Sequence, residues 1–289
     1  MMKTVSFTKM HGIGNDYIYI DCFKEQVDDP AALAVKMSPR RTSVGSDGVI
    51  LICPSDVADA KMRMFNLDGS EGKMCGNGIR CVGKYLYDSG LARKDVITVE
   101  TLSGVKTLNV TAENGRAVTL TVDMGEPILE PKSIPIRLDM PRVIDHPVQI
   151  DGTACRITAV SMGNPHAVVF CSEVQSLDLE QIGPRFEWDP LFPEQVNTEF
   201  IRVIDDRTLE MRVWERGSGE TFACGTGACA AVVAAVLNGH CRRGDEVTVH
   251  LKCGDLYITY AEDSHVYMRG AAEKVYEGVY EYESEHSGE

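Results

Sequence analysis

Lys73-Met74-Cys75-Gly76-Asn77-Gly78-Ile79-Arg80-Cys81 sets a cysteine at the mouth of a glycine-rich turn with a helical pattern behind it. Ile79, Val82 and Leu86 recur at helical spacing, joined by Tyr85, and Gly90 is a stop signal. A cysteine at a helix N-terminus feels unpaired amides and the positive end of the dipole, and both favour thiolate over thiol. The amides of Gly76, Asn77 and Gly78 offer a docking point for a carboxylate or phosphate.

The stretch occurs twice. Adding 149 to Cys75 gives Cys224, in Phe222-Ala223-Cys224-Gly225-Thr226-Gly227-Ala228-Cys229. Upstream, Met62-Arg63-Met64-Phe65-Asn66 falls on Met211-Arg212-Val213-Trp214-Glu215, Glu71 on Glu220, and Gly14-Asn15 on Gly163-Asn164. One inserted residue then brings Gly104 onto Gly254. One offset held across three separated motifs predicts two copies of one domain. Such copies commonly pack about a pseudo-two-fold axis with the ligand site in the cleft between them. A thiolate and a thiol would then flank a ligand from opposite sides, which suits taking a proton from one face of a carbon and returning one to the other.

Composition bounds the rest. The 289 residues carry 43 Asp plus Glu against 29 Lys plus Arg, a net charge of −14, which speaks against nucleic acid or an anionic membrane as partner. The start, Met1-Met2-Lys3-Thr4-Val5-Ser6-Phe7, has no signal-peptide core and no run reaches transmembrane length, so a cytoplasmic protein is expected. Ten cysteines without a short-range framework argue against a disulfide scaffold, and with no C-x-x-C they argue against zinc. Cys81 and Cys229, and with them Cys22, Cys53, Cys155, Cys171, Cys241 and Cys253, read as packing residues.

Strands are expected at Val5 to Phe7 and Tyr17 to Asp21 around a Met10–Asp16 turn, then a helix from Pro30 to Met37 capped by Asp29. Strands follow at Val49 to Cys53, Lys61 to Asn66, Val96 to Thr101, Lys106 to Val110 and Val118 to Met124. Strands gathered around one central helix predict α+β architecture with mostly antiparallel sheets, and no dinucleotide fingerprint is present. Gly125 to Pro147 holds five of the twelve prolines and reads as a linker. The second copy carries Cys155 to Val160, a helix near Leu177 to Phe186, Leu209 to Trp214, the second cysteine helix to Leu237 and three strands ending near Met268. Residues past Gly270 read as a strand returning to the first domain, then a disordered acidic tail (Glu281, Glu283, Glu285, Glu289). The expected division is 1–125 plus 271–289, and 126–270.

His11-Gly12-Ile13-Gly14-Asn15-Asp16, Asn66-Leu67-Asp68-Gly69-Ser70-Glu71, Met74 through Cys81, Met162-Gly163-Asn164-Pro165-His166, and Glu215 through Thr221 with Ala223-Cys224-Gly225-Thr226-Gly227 resemble the diaminopimelate epimerase family. The resemblance runs from near the start of the chain to its last strands. It implies interconversion of L,L- and meso-diaminopimelate in lysine and peptidoglycan precursor synthesis, with no pyridoxal phosphate, no other cofactor and no metal. It further implies Cys75 as base for the L,L substrate and Cys224 for the meso one. Glu215 and the backbone near Arg216 would hold the reacting amino group, and the amides at Gly76, Asn77, Gly225 and Thr226 its carboxylate. Asn15, Asn66, Asn164, Asn197 and Arg216 would read the distal end. His166 either orients a cysteine or fills the core, and a homodimer stays open as the assembled state. Where some members carry Gln before the strand this chain has Gly48, so one amide contact is absent and distal recognition would turn to water. Each Asn alone also reads as a turn residue, and Glu215–Arg216 as a surface pair.

Two other readings remain at this point. A proline or hydroxyproline racemase shares the two-cysteine plan, but its cyclic substrate gives Arg216 and the asparagines nothing to read. A non-catalytic thiol protein pairing Cys75 with Cys224 needs no amides around the sulfurs and exchanges no substrate α-hydrogen.

Overall fold

In the computed structural model, which describes residues 2–283, the chain divides into two compact units, 2–122 with 271–283 and Asp123–Gly270. In the first, β1 (Met2–Gly12) and β2 (Asn15–Asp21) form a hairpin closed by Ile13 and Gly14, both at positive φ. Helix α1 (Pro30–Met37) begins as expected, with the Asp29 carboxylate accepting the Ala32 amide and Pro30 where no N–H is missed. Strand β3 (Gly48–Cys53) lies parallel to β2 and antiparallel to β4 (Ala60–Asn66), which also pairs with β5 (Glu71–Gly72). Helix α2 (Gly76–Ser89) runs to a left-handed Gly90 and buries Ile79, Cys81, Val82 and Leu86. Strand β6 (Val96–Thr101) lies parallel to β4, and β7 (Gly104–Glu113) and β8 (Arg116–Asp123) continue antiparallel.

The second unit opens with the proline-rich stretch, which is more than a linker. Ile134, Ile136 and Val143 drop into the same core as Phe186, Phe200 and Trp214. Strand β9 (His146–Ile150) pairs with β10 (Thr153–Ser161), which pairs with β11 (Pro165–Phe170). Then follow α3 (Leu179–Glu187), β12 (Asn197–Asp205), β13 (Thr208–Glu215), β14 (Gly219–Glu220), α4 (Gly225–Leu237), β15 (Glu246–Leu251), β16 (Gly254–Tyr260) and β17 (Val266–Ala271).

This is the first unit's plan over again. The parallel pairs β2–β3 and β4–β6 recur as β11–β12 and β13–β15, and every antiparallel neighbour recurs with them. The register recurs to the residue: Val49↔Phe65 becomes Thr198↔Trp214, and Ile50↔Met64 becomes Glu199↔Val213. A bidentate ion pair is copied too. Arg63 grips Glu71 at 2.8 and 3.0 Å, and Arg212 grips Glu220 at 2.8 and 3.1 Å. Helix α4 is apolar all round because strands enclose it, whereas α2 keeps a polar side.

Strand β18 (Glu273–Glu283) returns to the first unit and pairs with β1 along its length, from Met2↔Glu283 to His11↔Glu273. It stands on β1 as β9 stands on β10, so residues 273–283 take in the first unit the place that β9 takes in the second. The expected disorder is therefore wrong at Glu281 and Glu283: both are laddered, opposite Thr4 and Met2. Glu285 and Glu289 lie outside the described residues. Cys253 is exposed rather than packed, since it sits in the β15–β16 turn, and Cys22, Cys53, Cys155 and Cys171 are only partly buried. No helix among the described residues is long and apolar enough to cross a membrane.

Candidate functional site

Both cysteines are helix N-caps. Cys75 has extended backbone, and its Sγ accepts the Gly78 amide at 3.3 Å; Cys224 does the same with the Gly227 amide at 3.3 Å. A cap whose acceptor is sulfur couples the cysteine's charge to the helix amides. The geometry also explains the second glycine of each loop. A Cβ on Gly78 would lie 2.7 Å from Ile50 Cδ1, and one on Gly227 would lie 2.6 Å from Glu199 Oε1.

In the first unit, β2 brings Asn15 to the sulfur: Cys75 Sγ–H donates to Asn15 Oδ1 at 3.2 Å, while Asn15 Nδ2 donates to Asp47 at 2.7 Å. Tyr17, one turn of the pleat further on, hydrogen-bonds Cys75 through its phenol. Burial raises that phenol's pKa well above its ordinary value, and the sulfur's charge adds to the rise. Neither Tyr17 nor Arg80 stands out in the sequence, because a strand tyrosine and a helix arginine are common. Arg80 is fully buried, and its guanidinium donates to Gly76 O, Asn77 Oδ1 and Ala271 O. It thereby ties the cysteine loop and the buried Asn77 to Ala271, the last residue of β17. Asn66, at the end of β4, hydrogen-bonds Ser70 at 3.0 Å. Gly48 needs to be glycine: at φ 155° its Cβ would fall 2.1 Å from Phe65 O. Side-chain loss there is built into the backbone, so a glutamine could not simply be restored.

The second unit gathers more around its cysteine. Asn164 Nδ2 donates to Thr226 Oγ1 at 3.2 Å, and Thr226 Oγ1 stands 3.5 Å from Cys224 Sγ. His166 is fully buried, with Nε2 3.0 Å from Asn164 Oδ1 and Nδ1 2.7 Å from Glu199 Oε1. His166 thus belongs to the cysteine's surroundings, and Glu199 is a residue that sequence reasoning missed. Glu215 accepts from Thr221 Oγ1, and burial raises its carboxyl pKa. Burial first, then the charges of Glu215 and Glu199, push the Cys224 thiol well above its ordinary value, against the pull of Thr226 and the Gly227 amide. The surroundings of Cys224 thus oppose the thiolate that a helix N-terminus favours, burial most of all.

Asn197 serves the turn that follows β13. It accepts the Arg216 amide at 2.9 Å and donates to Pro165 O at 2.8 Å. Arg216 reaches Glu194 O at 2.9 Å. Glu187, unremarked in the sequence, holds the same turn from α3, accepting Trp214 Nε1 at 2.7 Å and the Gly217 amide at 2.8 Å.

Comparison with known proteins agrees with these motifs. The profile of the family described as diaminopimelate epimerase matches residues 7–130 and 158–275. Diaminopimelate epimerase of Acetivibrio thermocellus is 57% identical over 273 residues, spanning 94% of this chain and 97% of its own. That of Desulfovibrio desulfuricans is 55% identical over 287 residues, 97% of this chain and 99% of its own. Two solved structures share the fold at low identity. A PhzF-family phenazine biosynthesis protein from Bacillus anthracis has TM-score 0.69 and 19% identity, covering 96% of this chain and 99% of its own. A probable proline racemase from Agrobacterium radiobacter has TM-score 0.68 and 15% identity, covering 95% of this chain and 92% of its own. By profile and by identity to its relatives, the chain belongs to the diaminopimelate epimerase family, a family of isomerases.

Proposed function

We propose that the protein interconverts L,L- and meso-diaminopimelate with Cys75 and Cys224 as its two acid–base groups, serving lysine and peptidoglycan precursor synthesis. The observation that carries this reading is the doubled cap: each sulfur accepts the third amide of a glycine-rich helix start. An amino acid's α-proton is a very weak acid, so the carbanion-like transition state needs its carboxylate held by fixed dipoles. The amides at Gly76, Asn77, Gly225 and Thr226 supply them. Cys75 takes the proton from the L,L epimer while Cys224, whose surroundings favour the thiol, returns one; the meso epimer runs the roles in reverse. Glu215 and the backbone at Arg216 hold the reacting amino group, while Asn15, Asn66, Asn164, Asn197 and Arg216 read the distal end. The reading takes 1–125 with 271–289 as one domain and 126–270 as the other. It places the enzyme in the cytoplasm and, for assembly, takes a homodimer, which sedimentation would check.

Exchange of substrate α-hydrogen in deuterated water tests the scheme. Cys75→Ala and Cys224→Ala are each expected to lose epimerisation by at least the roughly 10²–10⁴-fold that a direct acid–base group contributes, while circular dichroism stays native. Near-wild-type turnover in either variant overturns the two-base assignment. Exchange with proline in place of diaminopimelate would favour the racemase reading.

A further inference from the structure

Glu199 occupies a position that the first unit fills with Ile50: the two share one register, Ile50 facing Met64 and Glu199 facing Val213. Both side chains are fully buried, and each is the near neighbour of the second glycine of its helix start, Gly78 or Gly227. The first unit builds this position with an apolar side chain and no carboxyl. A buried carboxyl costs desolvation, the more so because Glu199 Oε2 has no hydrogen-bond partner among the described residues. Something other than packing accounts for the glutamate.

The hydrogen bonds indicate what. Asn164 donates through Nδ2 to Thr226, so its Oδ1 accepts, and the donor opposite is His166 Nε2–H. The contact of 2.7 Å between His166 Nδ1 and Glu199 Oε1 then requires one proton between them. It is held as imidazolium and carboxylate or as imidazole and carboxylic acid, and the pair is neutral either way. Thr226, having accepted from Asn164, has its own hydroxyl hydrogen left to donate toward Cys224 Sγ, 3.5 Å away. We infer that Glu199 is a positioning residue: by sharing one proton with His166 it keeps hydrogen on Nε2, fixes the Asn164 amide, and so aims the Thr226 hydroxyl at the Cys224 sulfur. Without it, Nδ1–H with bare Nε2 is as acceptable to the imidazole. Asn164 would then turn its amide to His166, and Thr226 would donate to Asn164 instead of to sulfur.

The inference rests on Cys224 being an acid–base group, which Cys224→Ala tests separately. If that variant stays active, the cysteine assignment fails. If it is inactive and the results below go the wrong way, only the role of Glu199 fails. Glu199→Ile copies Ile50. It is expected to fold with a melting temperature near wild type and to lose kcat by about tenfold, less than the roughly 10²–10⁴ of a direct acid–base group. Thr226→Val, which retains the backbone amide, is expected to lose a similar factor, and the double variant no more than the worse single one. Unchanged kcat in Glu199→Ile, or losses that multiply in the double variant, would overturn the role. Should Glu199→Ile fail to fold, nitrogen-15 histidine spectra of the wild-type protein decide. Hydrogen on His166 Nε2 at neutral pH is expected, and a bare Nε2 refutes the proposal.

Discussion

Glu215 and Arg216 are neighbours with opposite relations to their surroundings. The Glu215 carboxyl is raised by burial, so the folded state resists its ionisation. A raised carboxyl favours folding below its unfolded value, about 4.3, and that contribution is lost as pH rises through the folded value. Glu215→Gln should therefore be inactive yet gain thermal stability over wild type as pH rises across that window. The advantage should vanish at about pH 4 and below, where both carry a neutral side chain. Melting curves from acid to neutral pH check this, and an advantage that grows toward acid would contradict it. Arg216 keeps a partly buried side chain that donates to one carbonyl, which leaves its fork available to a carboxylate. Arg216→Met should raise KM for diaminopimelate roughly 10- to 100-fold, the equivalent of one charge-assisted hydrogen-bond pair. Steady-state kinetics at fixed ionic strength measures it, and an unchanged KM would make Arg216 structural.

At the scale of elements, the turn between β13 and β14 is positioned from α3. Trp214 packs its ring over Gly183, where an added Cβ would meet ring carbons at 2.2 and 2.3 Å, while Glu187 from the same helix accepts the indole and the Gly217 amide. The ring cannot give way without moving the strand end that carries Glu215 and Arg216. Gly183→Ala should cost roughly 1–3 kcal/mol by overpacking, and it should also lower kcat/KM although it touches no substrate. Denaturant unfolding and kinetics together check it. A destabilised variant with wild-type kinetics would separate the helix from the site.

For the molecule as a whole, the first unit is completed by the last strand of the chain. Each backbone hydrogen bond contributes roughly 0.5–1.5 kcal/mol net, so removing residues 271–289 should cost several kcal/mol out of a total typically about 5–15 kcal/mol. The same truncation removes Ala271 O from Arg80 and so loosens the Cys75 loop. Proteolysis should then attack the first unit before the second, read by mass spectrometry of early fragments. Equal sensitivity of the two units would show that β18 is dispensable.

The sequence by itself determined the doubling, both cysteine helices, most strands and the family, because an internal repeat and a glycine-cysteine spacing are local patterns that survive without coordinates. It set α1 from Pro30 to Met37 with its Asp29 cap, since cap and proline signals act within one turn. Only the tertiary structure decided that Tyr17 lies on Cys75, that Glu199 stands behind His166, and that Glu281 and Glu283 belong to a strand. Those facts depend on strand pairing between residues far apart in the chain, and a composition of glutamates carries no trace of the ladder that orders it. The Cys224 thiol makes the same point. Its helix start is visible in the sequence and argues for a thiolate, whereas the burial and the carboxyls of Glu199 and Glu215 that oppose it come with β12 and β13, brought there by the fold.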